Sequence, residues 1–122
     1  MSSLSPQRVT GHSVGAIQAG SVGNGAWTDR TGANFNPVGG LFTPAATHEF
    51  SALWIKNTHA TQTLYLLLKA AGGEATSAAI RLEAGTQPMS FDLYGKGITT
   101  ISLQGSGAAT TFDAVAEFVG EG

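Results

Sequence analysis

From His48 onward, short apolar runs alternate with polar turns, and within the runs large apolar residues recur at every second position. A period of two indicates strands with one buried face, because successive side chains of a strand point to opposite sides of the sheet. Short runs separated by turn signals at intervals of about 8–12 residues are typical of an antiparallel sandwich or barrel. The runs are Glu49–Asn57, Thr63–Lys69, Ala79–Glu83, Met89–Tyr94, Ile98–Gln104 and Thr111–Val119. We therefore predict an all-β protein whose residues 48–122 form an antiparallel β-sandwich, jelly-roll-like in arrangement.

Two of these segments also fit the spacing of a helix. Apolar residues at i, i+3, i+4 and i+7 begin at Ala75 in one segment and at Phe112 in the other, and Gly85 and Gly120 stand where each helix would end. The strand interpretation instead places Phe112 and every second residue up to Phe118 on one face. Strands are favoured at both places, because the neighbouring segments have the pattern of strands and the edge of a sheet needs a partner.

Residues 1–47 have a different composition. Eight of the 17 glycines lie between Gly11 and Gly40, and Pro6, Pro37 and Pro44 interrupt regular structure. Glycine is costly to order and proline lacks a backbone donor, so one interpretation is a flexible tail. Large apolar side chains argue against a tail that only contacts solvent. The segment is predicted to be an extended Gly-rich arm that orders against its own core or against a neighbouring molecule.

Four large apolar residues are the predicted anchors of this arm and form the predicted partner interface: Trp27, Phe35, Leu41 and Phe42. Because the arm lies outside the predicted core, removal of residues 1–42 should leave a folded protein that no longer binds or assembles. Asn24-Gly25 is a dipeptide typical of tight hairpins, and it predicts a turn between strands near Ser13–Ser21 and Ala26–Arg30.

Charge is sparse along the whole chain. Only 14 of the 122 residues are charged, where about a quarter is usual. Surfaces with little charge to keep them apart usually have a partner. Two blocks without any charged side chain, Thr31–Thr47 and Gly97–Phe112, are the predicted places of contact.

Composition also narrows the class of partner. The net charge of −2 and the scattered basic residues argue against nucleic acid. The longest apolar run, Leu64–Leu68, is far shorter than the roughly 20 residues that span a bilayer. The first residues do not resemble a signal peptide, and the chain has no cysteine. We expect a soluble protein that is made without export and contacts no membrane.

Candidate chemistry is scarce. The three histidines (His12, His48 and His59) have no metal-ligand spacing. We predict no catalytic residue, no metal, no cofactor and no enzymatic activity. Trp54, Tyr65 and Tyr94 fall opposite the apolar stripe of their strands, where exposed rings can stack on sugars or dock a protein.

Five motifs carry a resemblance to a known class of protein: Ile55-Lys56-Asn57-Thr58, Leu64-Tyr65-Leu66, Leu82-Glu83-Ala84-Gly85, Phe91-Asp92-Leu93 and the run Ile98–Gly105. In these motifs, residues 50–119 resemble small β-sandwich structural proteins of tailed bacteriophage virions, including capsid decoration (cement) proteins. The resemblance implies a homotrimer on the capsid surface that is made in the host cytoplasm, binds the major capsid protein and bridges capsid subunits. The alternative is a carbohydrate-binding or tail-fibre-like module that uses Trp54, Tyr65 or Tyr94.

Overall fold

The computed structural model describes residues 10–76 and 78–121, which form nine strands and one short 3-10 turn at Gly32–Asn34. Every pair of neighbouring strands is antiparallel. The strands are β1 (Thr10–Val22), β2 (Thr28–Arg30), β3 (Asn36–Gly40), β4 (Glu49–Asn57), β5 (Leu64–Ala70), β6 (Ile80–Leu82), β7 (Met89–Asp92), β8 (Ile98–Gly105) and β9 (Thr110–Glu121).

The strands make two sheets. Sheet A has the order β3-β1-β9-β4-β7, and sheet B has the order β2-β8-β5-β6. With the short edge strand β3 set aside, this is the strand order of a jelly roll. The predicted all-β antiparallel sandwich is therefore confirmed. Both segments that also fit a helix contain strands, at Ile80–Leu82 and Thr110–Glu121.

The core lies between the two sheets and is built from the apolar stripes of the longer strands. Full burial of a large apolar side chain stabilises the fold by about 1.5–3 kcal/mol, so these stripes dominate its energetics. Their buried members are Phe50, Leu53 and Ile55 of β4; Phe112, Ala114, Ala116 and Phe118 of β9; Leu64, Leu66 and Leu68 of β5; and Ile101 and Leu103 of β8.

The described part of the N-terminal segment, residues 10–47, belongs to the sandwich. Strand β1 lies inside sheet A between β3 and β9, and it pairs with β9 from Thr10 opposite Glu121 to Val22 opposite Thr110. The predicted arm, with its boundary after residue 47, is therefore wrong for these residues. The arm prediction for residues 1–9 lies outside the described residues.

The glycines of β1 explain the error, because two of them serve close packing. A Cβ added at Gly15 would lie 2.7 Å from Cβ of Phe35, and one added at Gly20 would lie 2.6 Å from Cζ of Phe112. Glycine at these positions lets aromatic side chains pack directly against the strand. The glycines at these positions therefore permit close packing within the sandwich.

The predicted hairpin at Asn24-Gly25 is also wrong. The turn leads from β1 in sheet A to β2 in sheet B, so it joins the two sheets instead of two paired strands. Backbone hydrogen bonding fixes this crossing, since the N–H of Gly105 donates to the carbonyl oxygen of Gly23 at 2.9 Å.

Candidate functional site

Phe35, one of the four predicted anchors, is a core residue. Its side chain is 3% exposed. Its ring meets those of Phe50 and Phe118 edge to face, with centroid distances of 5.7 and 5.4 Å. Such pairs are worth about 0.5–1.5 kcal/mol beyond the burial of their area. Phe35 therefore holds the segment to the sandwich and offers no surface to a partner while the protein is folded.

Leu41 and Phe42 lie together at one end of the sandwich. The buried hydroxyl of Ser13 accepts from the N–H of Phe42 at 2.8 Å and donates to its carbonyl oxygen at 2.5 Å. The half-buried Phe42 ring lies against the His48 ring at 4.1 Å, whereas Leu41 is 48% exposed. This serine clamp fixes the backbone so that Phe42 faces the fold and Leu41 faces solvent.

Trp27 lies elsewhere. Trp27 directly precedes β2 and lies near the Val22 end of β1. Leu41 lies near the other end of β1, where its N–H donates to the carbonyl oxygen of His12. These two ends of β1 are roughly 30 Å apart at the usual rise of a strand. The structure therefore brings two of the four predicted anchors together and does not form one interface from all four.

The two uncharged blocks have different places in the fold. Gly97–Phe112 contains β8, an inner strand of sheet B whose side chains are largely buried, so its lack of charge reflects the core. Thr31–Thr47 contains β3, an edge strand of sheet A with all five residues exposed. Val38 is 66% exposed and Leu41 follows directly after the strand. Only this second block offers an uncharged apolar surface.

A second apolar surface covers the outer face of sheet A. Cross-strand partners lie on the same face, and one row across all five strands carries no charge: Asn36, Ala16, Val115, Trp54 and Ser90. Trp54 and Val115, at the centre of this row, are 37% and 39% exposed. We call this row the Trp54 row.

The next row on the same face has smaller or acidic side chains, with Val14, Glu117, Ala52 and Asp92 as partners across the sheet. We call it the Ala52 row. Because Ala52 and Ser90 are small beside Trp54, a groove of about 150 Å³ opens between the two rows, reaching Val115 and Glu117. A space of about this volume holds a group the size of benzene.

The outer face of sheet B carries two ion pairs. Nζ of Lys69 lies 3.1 Å from Oδ1 of Asp29, and the Arg81 guanidinium lies 3.0 Å from Oε1 of Glu83. The same guanidinium lies 5.9 Å from the centroid of the Tyr65 ring. A solvated face of an antiparallel sheet normally carries polar side chains, as this one does. On the outer face of sheet A, in contrast, the Trp54 row carries no charge, and the charged side chains lie in the rows on either side of it.

The three aromatic residues proposed for sugar binding do not form one platform. Trp54 lies on the outer face of sheet A, and Tyr65 lies on sheet B beside Arg81. Tyr94, 65% exposed, lies in the turn after β7, where its N–H donates to Asp92. Any sugar contact would rest on one ring at a time.

Two histidines organise loops by accepting backbone hydrogen bonds. Nδ1 of His48 accepts from the N–H of Ala45 at 2.9 Å, and Nδ1 of His59 accepts from the N–H groups of Thr61 and Gln62 at 3.0 and 2.9 Å.

Within residues 10–76 and 78–121, no three His, Asp or Glu side chains are grouped closely enough to hold a metal ion. Over the same ranges, no helix has the length and apolarity to cross a membrane.

Asp29 links the edge strand β2 to strands β8 and β5 of the same sheet. Its carboxylate accepts a short hydrogen bond from the buried hydroxyl of Ser102 and a second from Lys69 at 3.1 Å. The Ser102 hydrogen bond is the main reason why the pKa of Asp29 lies below its ordinary value of 3.8. Burial acts in the opposite direction, and Lys69 lowers the pKa further. No local sequence pattern indicates this cluster, because its three members come from three different strands.

We expect this cluster to make stability depend on pH in acid. Because the pKa of Asp29 is lower in the folded state, its contribution is present above the unfolded-state pKa and is lost as pH falls through the folded-state value. Asp29→Asn should cost at most about 1 kcal/mol near neutral pH, since the carboxylate is partly exposed and screened. Urea unfolding between neutral pH and about pH 2 measures the effect, and the difference between wild type and variant should shrink in acid. A constant difference over that range would contradict the assignment.

Comparison with known proteins gives a likeness of fold. No protein family matches the sequence, and no curated protein matches it. A chain from the structure of Bacillus endospore appendages, described as a novel family of disulfide-linked pili, is similar in fold with a TM-score of 0.55. The two chains are 14% identical, and the match covers 92% of this chain and 89% of that one. At this identity the likeness concerns the fold alone.

Proposed function

We propose that this protein is a non-enzymatic virion structural protein that binds the assembled capsid surface and stabilises it by bridging capsid subunits. The observation that carries the proposal is the uncharged block Thr31–Thr47, whose strand β3 is fully exposed at the edge of sheet A. Val38 and Leu41 offer apolar side chains there. The resemblance of residues 50–119 to capsid decoration proteins supplies the identity of the partner, the major capsid protein.

The physical case is that a contact protein needs apolar surface held in a fixed shape. The serine clamp at Ser13 and the buried ring of Phe35 fix the backbone on both sides of β3, so Val38 and Leu41 need little ordering when they bind. Preorganisation of this kind reduces the entropy lost on association. A capsid repeats its surface many times, so contacts of modest strength are multiplied when each molecule touches more than one capsid subunit.

The Bacillus appendage protein supports the proposal in a limited way, because its description also places a fold of this shape in an assembled structure. Its assembly is described as disulfide-linked, and this chain has no cysteine. Contacts made by this chain would therefore not be disulfide-linked.

The test is co-sedimentation of the purified protein with capsids assembled from the major capsid protein of the same phage. We expect saturable binding at a fixed ratio to capsid subunits. Val38→Asp should weaken binding at least about tenfold, because it buries a charge in the contact. Tyr94→Asp is the matched control, since residues 38 and 94 are 66% and 65% exposed, and it should bind like the wild type.

Two results would contradict the proposal. Wild-type protein that stays in the supernatant at all concentrations would remove the capsid as partner. Binding that Val38→Asp and Tyr94→Asp weaken equally would remove the β3 edge as the contact. Thermal unfolding of both variants checks that each remains folded.

A further inference from the structure

We propose that the outer face of sheet A packs against the same face of a second copy of this chain, with Trp54 of each copy seated in the groove beside Ala52 of the other. This surface is centred on β9 and β4, and it overlaps the block proposed for the capsid at the edge strand β3. The inference stands or falls without the capsid, because the experiment below uses the purified protein alone.

The apolar character of the face is the first reason. The Trp54 row places Ala16, Val115 and Trp54 side by side, and Glu117 and Asp92 lie in the next row. A solvated antiparallel sheet normally carries polar side chains at positions such as those of the Trp54 row. A large aromatic side chain that stands among small neighbours is typical of an interface anchor. Trp54 is such a side chain, and Ala52 and Ser90 are its small neighbours.

The face is self-complementary in shape about one particular axis. Consider a two-fold axis that lies in the interface, perpendicular to the strands, midway between the Trp54 row and the Ala52 row. It places Trp54 of each copy over Ala52 of the other, where the groove of about 150 Å³ lies. The same contact is then made twice, as in any interface that pairs identical patches.

The charges on the face agree with this axis. Along β4, the outward residue beyond Trp54 is Lys56, and the outward residue beyond Ala52 on the opposite side is Glu49, which pairs with Val119 of β9. The axis therefore brings Lys56 of each copy over Glu49 of the other. A face that matches opposite charges in this way selects its own register.

The acidic residues of the face test the axis further. In the proposed register Glu117 lies over Val115, Asp92 over Ser90 and Asp113 over Val119, so no two carboxylates face each other. An axis that ran along the Trp54 row itself would instead place Asp113 over Glu117 of the second copy. Like charges at that distance are unfavourable, and the axis between the rows is preferred.

The size of the face sets the expected affinity. Five strands about 4.8 Å apart and four rows about 6.8 Å apart give a face of roughly 500–600 Å² per copy, or roughly 1,100 Å² for both. Specific interfaces begin at about 1,000 Å² of total buried surface. We therefore expect a dimer that dissociates in roughly the micromolar range and closes at two copies, in place of the trimer that the resemblance implies.

Sedimentation equilibrium of the full chain over a series of micromolar concentrations tests the inference. The wild type should follow a monomer–dimer equilibrium. Trp54→Ala should raise the dissociation constant at least about tenfold, as expected for a central aromatic anchor. Tyr94→Ala removes an exposed aromatic side chain outside the face and should leave the constant unchanged.

A charge exchange makes the test independent of any general loss of fold. Lys56→Glu should weaken the dimer because two carboxylates would then face each other across the axis. The double variant with Lys56→Glu and Glu49→Lys should restore an affinity close to that of the wild type. A protein that stays monomeric, a trimer, a dimer indifferent to Trp54→Ala, or a charge exchange without recovery would each overturn the inference.

Discussion

Replacing Phe35 by alanine is expected to lower the free energy of unfolding by about 3–5 kcal/mol, the usual loss when a buried phenylalanine is truncated. The ring is 3% exposed and meets both Phe50 and Phe118. Its removal would leave a cavity between the sheets and loosen the connection from β2 to β3. Urea unfolding at neutral pH measures the loss directly, provided that the slope with denaturant stays constant.

The matched control is Leu41→Ala, which truncates an apolar side chain only six positions further along the same uncharged block. Leu41 is 48% exposed, although its side chain also lies against Gly11. Its replacement should lower the free energy of unfolding by less than about 1 kcal/mol. Equal losses for the two variants would mean that Phe35 does not lie in the core.

Deletion of residues 1–42 is expected to abolish folding. If these residues were an arm outside the core, their removal would leave a folded protein. The deletion removes β1 and β3 and leaves one side of β9 without its partner from Thr10 to Val22. It also exposes the rings of Phe112 and Phe118, which pack against Gly20 and Gly15 of β1. Far-ultraviolet circular dichroism and thermal unfolding should show no cooperative transition.

Deletion of residues 1–9 is the control for this truncation, since it keeps all nine described strands in the chain. It should give a cooperative unfolding transition. If the protein without residues 1–42 unfolded cooperatively at a temperature near that of the wild type, β1 would not be an integral strand of sheet A.

The strands after His48 could be predicted because their apolar stripes have a period of two and their turns have clear signals. Leu64, Leu66 and Leu68 of β5 are all buried, as their alternation indicates. At Thr110–Glu121 the strand pattern of the neighbouring segments favours a strand over a helix, and the structure has a strand there with Phe112 and Phe118 both buried.

The role of residues 10–47 could not be predicted in the same way. Glycine raises the entropic cost of ordering the backbone. No local sequence signal shows at which glycines an aromatic ring packs against the backbone and offsets that cost. Gly15 and Gly20 meet Phe118 and Phe112, which lie about a hundred residues later in the chain. Contacts of that separation depend on the whole topology, and the sequence near β1 does not specify them.

The candidate surfaces were predictable only in part. Alternation indicated that Trp54 points away from the core stripe, and its exposure agrees. The neighbours of Trp54 on the face were not predictable, because they depend on register. The irregularities between Val14 and Gly15, between Ile17 and Gly20 and between Phe50 and Ala52 each shift which residues share a row.

The pairing of β1 with β9 has a consequence for how the protein is made. Sheet A joins the first described strand to the last, with Thr10 opposite Glu121, so its centre cannot form until β9 has left the ribosome. Until then the apolar stripes of β4 and β5 have no complete sandwich to enter. Pairing between such distant segments is slow to form and leaves apolar strands exposed meanwhile. The sandwich is therefore expected to fold only after β9 has been synthesised. We expect the yield on expression to depend strongly on temperature and chaperone supply, even though the folded sandwich is stable.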